Sequence, residues 1–217
     1  MSVTQKMKDV LAKCRTPKGL QIIAWTLATV VVASACVYYN FIDKPLNGKK
    51  KGDGCPDFTL STFALENKDF QLSDEVYRFS EHKGNVIVLN FWATNCQPCK
   101  EEIPHFNEFY ENYADQGVEV VIINGQGGMS AENLVQFMNG NMGKTSEKEY
   151  QTYYQYWEEY TCTFARYEPS NNDVLSMFAV TPALPVTVIV DRQGLIAELI
   201  QGSMTYERLE GYVTPLL

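Results

Sequence analysis

The chain has 217 residues, 45% of them hydrophobic, with 26 acidic against 18 basic side chains and a net charge of −8. That hydrophobic share fills one substantial core. The charge is split, +7 over residues 1–52 and −15 over residues 53–217, and so acidic a second part is repelled by nucleic acid and by anionic lipid, which excludes a nucleic-acid-binding function.

Residues 1–19 read as a basic N-terminal segment on the cytoplasmic side, because a dithiol domain has its task in an oxidising compartment outside the membrane. Leu20 to Ile42 follows, 23 residues without a charge. As a helix rising about 1.5 Å per residue it spans a bilayer's hydrocarbon core, with Trp25 at one end and Tyr38 and Tyr39 at the other as interfacial aromatics. It reads as a transmembrane anchor. Ala33-Ser34-Ala35 before Cys36 also fits a cleaved leader, or a lipidated one with Cys36 carrying the lipid, but the apolar run continues to Ile42 and favours an uncleaved helix. Five cations precede the run and four follow it, so the positive-inside rule decides little about orientation. Residues 43–54, with three Gly, one Pro and a lysine run, read as a flexible tether to a domain at 55–217.

Within that domain Asp57–Leu65 and Phe70–Leu72 predict a hairpin, with a short helix over Ser73–Phe79. Val86 to Trp92 is a buried strand running into Cys96-Gln97-Pro98-Cys99. From Cys96 to Tyr113 the apolar residues Ile103, Phe106, Phe109, Tyr110 and Tyr113 recur at helical spacing, with a kink expected at Pro104 and a stop at Gly117. Val118–Ile123 is the next buried strand. Gly125-Gln126-Gly127-Gly128 lacks both the dinucleotide and the P-loop spacing and reads as a connector. A helix over Ala131–Met138 precedes residues 143–160, where Tyr150, Tyr153, Tyr154 and Trp157 share one helical face. A strand at Cys162–Tyr167, a helix at Asn171–Ala179, strands at Val186–Val190 and Leu195–Ile200 and a final helix at Thr205–Leu217 complete an α/β sandwich with a central mixed sheet.

The Cys-x-x-Cys at a predicted helix N-terminus carries the chemistry. Unpaired backbone N–H groups and the helix dipole there stabilise a thiolate, and two thiols so spaced form, open and pass on a disulfide. Structural zinc needs about four ligands. The remaining cysteines (Cys14, Cys36, Cys55, Cys162) are scattered singly and the two histidines, His82 and His105, are unpaired. The dithiol is therefore read as redox-active, with no metal or other cofactor.

Cys55-Pro-Asp-Phe-Thr-Leu60, Val88 to Pro104 and Leu184 to Gly194 together resemble the membrane-anchored TlpA/ResA-like thiol-disulfide oxidoreductases of the thioredoxin superfamily. The resemblance covers residues 55–217 except 143–160, which looks like a helical insertion. It implies a thioredoxin-like fold: a central mixed β-sheet flanked by helices, with an N-terminal β-hairpin. It also implies Cys96 as attacking thiol, Cys99 as resolving thiol and Glu102, one turn on, as their acidic neighbour. Pro185 matches the cis-proline beside the dithiol, leaving Leu184's backbone to pair with a substrate chain, and Trp92, Gln97 and Pro98 complete the implied substrate surface. Three residues after Cys99, Glu102 lies on the same helical face, where it can relay protons to that thiol.

The implied activity is reduction of protein disulfides outside the cytoplasm, by a single-pass membrane protein fed by a transmembrane thiol donor. Apocytochrome c, general disulfide repair and an envelope target are all compatible substrates. Two alternatives stand beside it. A peroxiredoxin-like peroxidase shares the Pro56-Asp57-Phe58 opening but needs Thr-x-x-Cys, and Thr94 precedes Cys96 by two. A copper-carrying thioredoxin-like protein would add His105 to the two thiols. Cys55 and Cys162 read as isolated buried thiols, with a bridge between them as the alternative.

Overall fold

The computed structural model describes residues 49–125, 129–140, 159–167, 174–178 and 183–217. The expected anchor at 20–42, the basic segment before it, most of the tether and most of the 143–160 insertion lie outside the described residues. No helix among the described residues is long and apolar enough to cross a membrane.

Seven strands form one sheet: β1 (Thr59–Glu66), β2 (Asp69–Arg78), β3 (Val86–Trp92), β4 (Val118–Asn124), β5 (Thr163–Arg166), β6 (Val186–Val190) and β7 (Ile196–Gln201), in the order β2-β1-β5-β4-β3-β6-β7. β4 runs parallel to β3 and to β5, while the other pairings are antiparallel, so the sheet is mixed as expected. Among the described residues four helices accompany it: α1 (Gln97–Tyr113), α2 (Ala131–Met138), α3 (Val174–Met177) and α4 (Tyr206–Val213).

The strand period of two sorts side chains to the two faces. Val86, Val88 and Trp92 of β3 meet Ile103, Phe106 and Phe109 of α1, Leu134 of α2 and Leu209 of α4. Ile87, Leu89 and Phe91 point the other way, into a cluster with Phe58, Phe79 and Phe178. Burial on both faces explains why β3 and β6 are buried at every residue. β3 pairs with β4 from Val86↔Val118 to Trp92↔Asn124, so its last residue delivers the chain to the dithiol at the sheet's carboxyl end.

Two expectations change. The segment predicted as a helix at Ser73–Phe79 is the second half of β2, and a 3₁₀ turn follows at Phe79–His82. Ser73 does act locally as a cap, its Oγ accepting from Glu75 N–H at 3.0 Å. Cross-strand pairing nevertheless prevails: Leu60 sits opposite Tyr77, Ser61 opposite Val76, and the Thr62 hydroxyl donates to the Glu75 carbonyl at 2.8 Å within a bulge. The end of the expected tether is also docked. Gly52 N–H donates to the Ile196 carbonyl at 2.8 Å, Ile196 N–H to the Asp53 carbonyl at 2.9 Å and Cys55 N–H to the Gly194 carbonyl at 2.9 Å, while Lys51 pairs with Glu198.

The helix α1 continues through Pro104 to Tyr113. After a 3₁₀ turn at Ala114–Gln116, Gly117 takes a left-handed φ of 80°. Arg192 ties this corner together, donating to the Gln116 carbonyl at 2.8 Å and the Gly84 carbonyl at 3.2 Å. Asn107 does the same for the strand after the insertion: its Oδ1 accepts from the N–H groups of Thr161 and Cys162 at 2.8 and 3.1 Å.

Candidate active site

Cys96 is the N-cap of α1, with extended backbone (φ −94°, ψ 98°), and its Sγ accepts from Cys99 N–H at 3.3 Å. Pro98 stands in the first turn, where a missing N–H costs no helical bond. Cys96 and Cys99 are joined as a disulfide with Cα atoms 5.3 Å apart. Their surroundings differ. Cys96 is half-buried, whereas Cys99 is wholly buried (0% exposed) under the first turn. Of the two sulfurs, that of Cys96 is the more accessible from outside.

Glu102 lies one turn further along the face that buries Cys99. It is only 2% exposed. Its Oε1 accepts from Asn90 Nδ2 at 2.7 Å and its Oε2 from Met204 N–H at 2.7 Å. Burial raises the Glu102 carboxyl from its ordinary range to about 7, against the opposing pull of the Met204 and Asn90 hydrogen bonds and the Arg208 charge. A carboxyl poised near neutrality beside a buried thiol suits proton exchange in either direction.

The Leu184–Pro185 bond is cis. The loop is held from β7: Gln201 Nε2 donates to the Ala183 carbonyl at 3.3 Å and Gly202 N–H to the Pro185 carbonyl at 2.9 Å. Leu184 between them is half-buried. Of the other expected surface residues, Pro98 is exposed and Gln97 half-buried, its side chain donating to Glu101 at 3.2 Å. Trp92 is different. It is 1% exposed, with its ring against Phe137 at a centroid distance of 6.2 Å, so it offers almost no surface for the expected substrate contact.

Sequence reasoning placed Glu102 on the right face but missed its partners, Asn90 and the Met204 backbone, and the contact of Asn90 with Thr187 behind them. A polar residue midway along the otherwise apolar run Val86–Trp92 was the available clue, because a buried amide demands a partner. Cys55 and Cys162 are free thiols packed against opposite faces of the sheet, which removes the alternative of a bridge. Burial pushes the Cys55 thiol up to about 12 and raises the Cys162 thiol as well. Among the described residues no three His, Cys, Asp or Glu side chains gather as a metal site. A cavity of about 370 Å³ is lined by residues such as Phe63, Phe70, Tyr77 and Tyr160 and takes no wall from the dithiol or the cis-proline loop.

The AhpC/TSA family model matches residues 51–203. The thiol-disulfide oxidoreductase ResA of Oceanobacillus iheyensis is 32% identical over 165 residues, covering 76% of this chain and 72% of that protein. ResA of Geobacillus kaustophilus is 29% identical over 200 residues, covering 90% and 96% of the two chains. The fold matches the thioredoxin domain of a thiol-disulfide oxidoreductase from Bacteroides vulgatus with a TM-score of 0.53 at 18% identity, over 76% of this chain and 99% of that one. It matches MTB DsbF with a TM-score of 0.51 at 22% identity, over 74% and 95%. With its dithiol at the head of α1, its cis-proline loop and a match over most of its length, the chain belongs to the AhpC/TSA family and, within it, to the ResA-type thiol-disulfide oxidoreductases.

Proposed function

We propose that the protein reduces disulfides in other proteins outside the cytoplasm, held at the membrane by residues 20–42. The observation that carries this reading is the asymmetry of the dithiol, a half-buried Cys96 above a buried Cys99 with Glu102 beneath. The Cys96 thiolate attacks a partner's disulfide: the Cys96 S–S bond forms, the partner's bond breaks and the departing sulfur takes up a proton. The Cys99 thiol then gives its proton to Glu102 and attacks Cys96 Sγ. The second partner sulfur leaves, and two electrons have passed from the dithiol to the substrate. Leu184 and Pro185 form the ledge against which an extended substrate lies, with Gln97 and Pro98 opposite.

In the structure Cys96 and Cys99 are joined as a disulfide, the state in which this cycle would leave them. Returning it to the dithiol takes two electrons from a thiol donor, and a membrane-embedded donor suits an anchored domain. An extracytoplasmic location is supported by the pairing of an uncharged 23-residue run with a redox dithiol. Apocytochrome c, whose haem-attachment cysteines must be reduced before ligation, is a substrate of fitting chemistry.

The test is the reduction potential of the Cys96–Cys99 couple, measured by equilibration of the full chain with glutathione. A reductant in an oxidising compartment requires a value well below about −200 mV. A value near −120 mV, that of a strong oxidant, would overturn the proposed direction of electron flow.

A further inference from the structure

Asn90 interrupts a strand whose other six residues are apolar and whose seven are all buried. It sits opposite Thr187 of β6, and both side chains are wholly shielded, at 0% exposure. A leucine would fill the same space with no polar atoms to satisfy. The amide has a specific use. Its Nδ2 donates to Glu102 Oε1 at 2.7 Å and lies 3.4 Å from Thr187 Oγ1, whereas its Oδ1 has no hydrogen-bond partner among the described residues.

This arrangement suits the ionised Glu102 best. An ionised carboxylate accepts at both oxygens, from Asn90 and from Met204 N–H at 2.7 Å. A protonated carboxyl has an O–H that must donate. Oε2 already faces a backbone donor, so the proton belongs on Oε1, where it would confront the Asn90 N–H. Turning the amide over by about 180° about χ2 brings the unused Oδ1 to that position and restores a donor–acceptor pair. Thr187 accommodates both settings, because a hydroxyl accepts from Nδ2 in one and donates to Oδ1 in the other. The charge that acts on the Glu102 carboxyl is that of the exposed Arg208 of α4, Asn90 of β3 is uncharged, and Cys99 stands one turn earlier on α1.

We propose that Asn90 is a positioning residue for the proton exchange between Cys99 and Glu102, its amide turning over between the two charge states of Glu102 with Thr187 following. In the step itself the Cys99 S–H bond breaks and the Glu102 Oε1–H bond forms, and Asn90 neither gains nor loses a proton. The inference rests on Glu102 being the proton partner of Cys99.

The experiment uses the reduced full-length chain. Infrared titration of the Glu102 carboxyl, assigned by its loss in Glu102→Gln, is compared between wild type and Asn90→Leu. A hydrogen bond to a carboxylate outweighs one to a neutral acid, so Asn90→Leu should move the Glu102 midpoint upward by about one pH unit. In the wild-type chain the Asn90 side-chain amide resonances should shift with the same midpoint as Glu102. An unmoved midpoint in Asn90→Leu, or an amide whose resonances stay fixed through the titration, overturns the proposal, and the second measurement needs no variant to fold. The pH profile of mixed-disulfide resolution separates the two ideas. A profile unchanged by Glu102→Gln removes the proton-partner reading, while the infrared and amide titrations still decide whether Asn90 follows the charge on Glu102.

Discussion

Replacing Glu102 by Gln should flatten the dependence of stability on pH between about 4.5 and 7. In the unfolded chain this carboxyl ionises near 4.5, whereas in the folded protein burial holds it protonated to about 7. A raised acid pKa favours the fold fully below the unfolded value. The advantage is lost as pH rises through the folded value and stays lost above it. A shift from 4.5 to about 7, at 1.36 kcal/mol per pH unit, corresponds to about 3 kcal/mol of stability surrendered over that window. Gln carries no titrating proton, and its carbonyl still accepts from Met204 N–H while its amide donates to a turned Asn90. The assay is urea unfolding of the oxidised chain, wild type against Glu102→Gln, at intervals from pH 4 to pH 8.5. The difference in unfolding free energy should swing toward the variant by about 3 kcal/mol across the window. A difference constant to within 0.5 kcal/mol (about the usual additivity error) would refute the assignment of Glu102 as a buried acid titrating near neutrality.

Two further outcomes follow from the packing. Gly117→Ala places a Cβ 3.2 Å from Arg192 Nη1 in a backbone with φ of 80°, so it should cost about 1–2 kcal/mol in thermal or urea unfolding; a loss under 0.5 kcal/mol (about the level of a neutral surface change) would contradict the corner's description. In the native oxidised chain Cys55 and Cys162 should resist iodoacetamide at pH 8 and react once unfolded, because burial raises both thiols, Cys55 to about 12. Peptide mapping that finds Cys55 modified as fast as a small free thiol would show that its burial is overstated.

What could be read from the chain beforehand followed from local pattern. The apolar runs at Val86–Trp92, Val118–Ile123 and Val186–Val190 are buried on both faces, so nothing else competes with a strand reading. The helix α1 and its Cys96 cap follow from spacing and from Pro98. The misread residues depend on partners far along the chain. Ser73, Asp74 and Glu75 look like a helix start, but they form the bulge of β2 between the pairs Phe63↔Leu72 and Ser61↔Val76, held there by β1 through the Thr62 hydroxyl. The docked end of the tether depends on Ile196, more than a hundred residues away. Glu102 shows the same division: three residues from Cys99 fixes its face, but its shielding requires Asn90 from β3 and Met204 from the loop before α4. Trp92 was placed on the substrate surface by the family resemblance, whereas the strand's alternation turns it inward toward Phe137.

The most direct test of the central claim, that Cys96 is the attacking sulfur and Cys99 the resolving one, is mass mapping of the complex formed when reduced Cys99→Ser full-length chain meets a disulfide-bonded protein such as insulin. The account predicts a stable mixed disulfide through Cys96, and none when Cys96→Ser is used instead. A partner attached through Cys99 in Cys96→Ser, or through Cys55 in either variant, would contradict it.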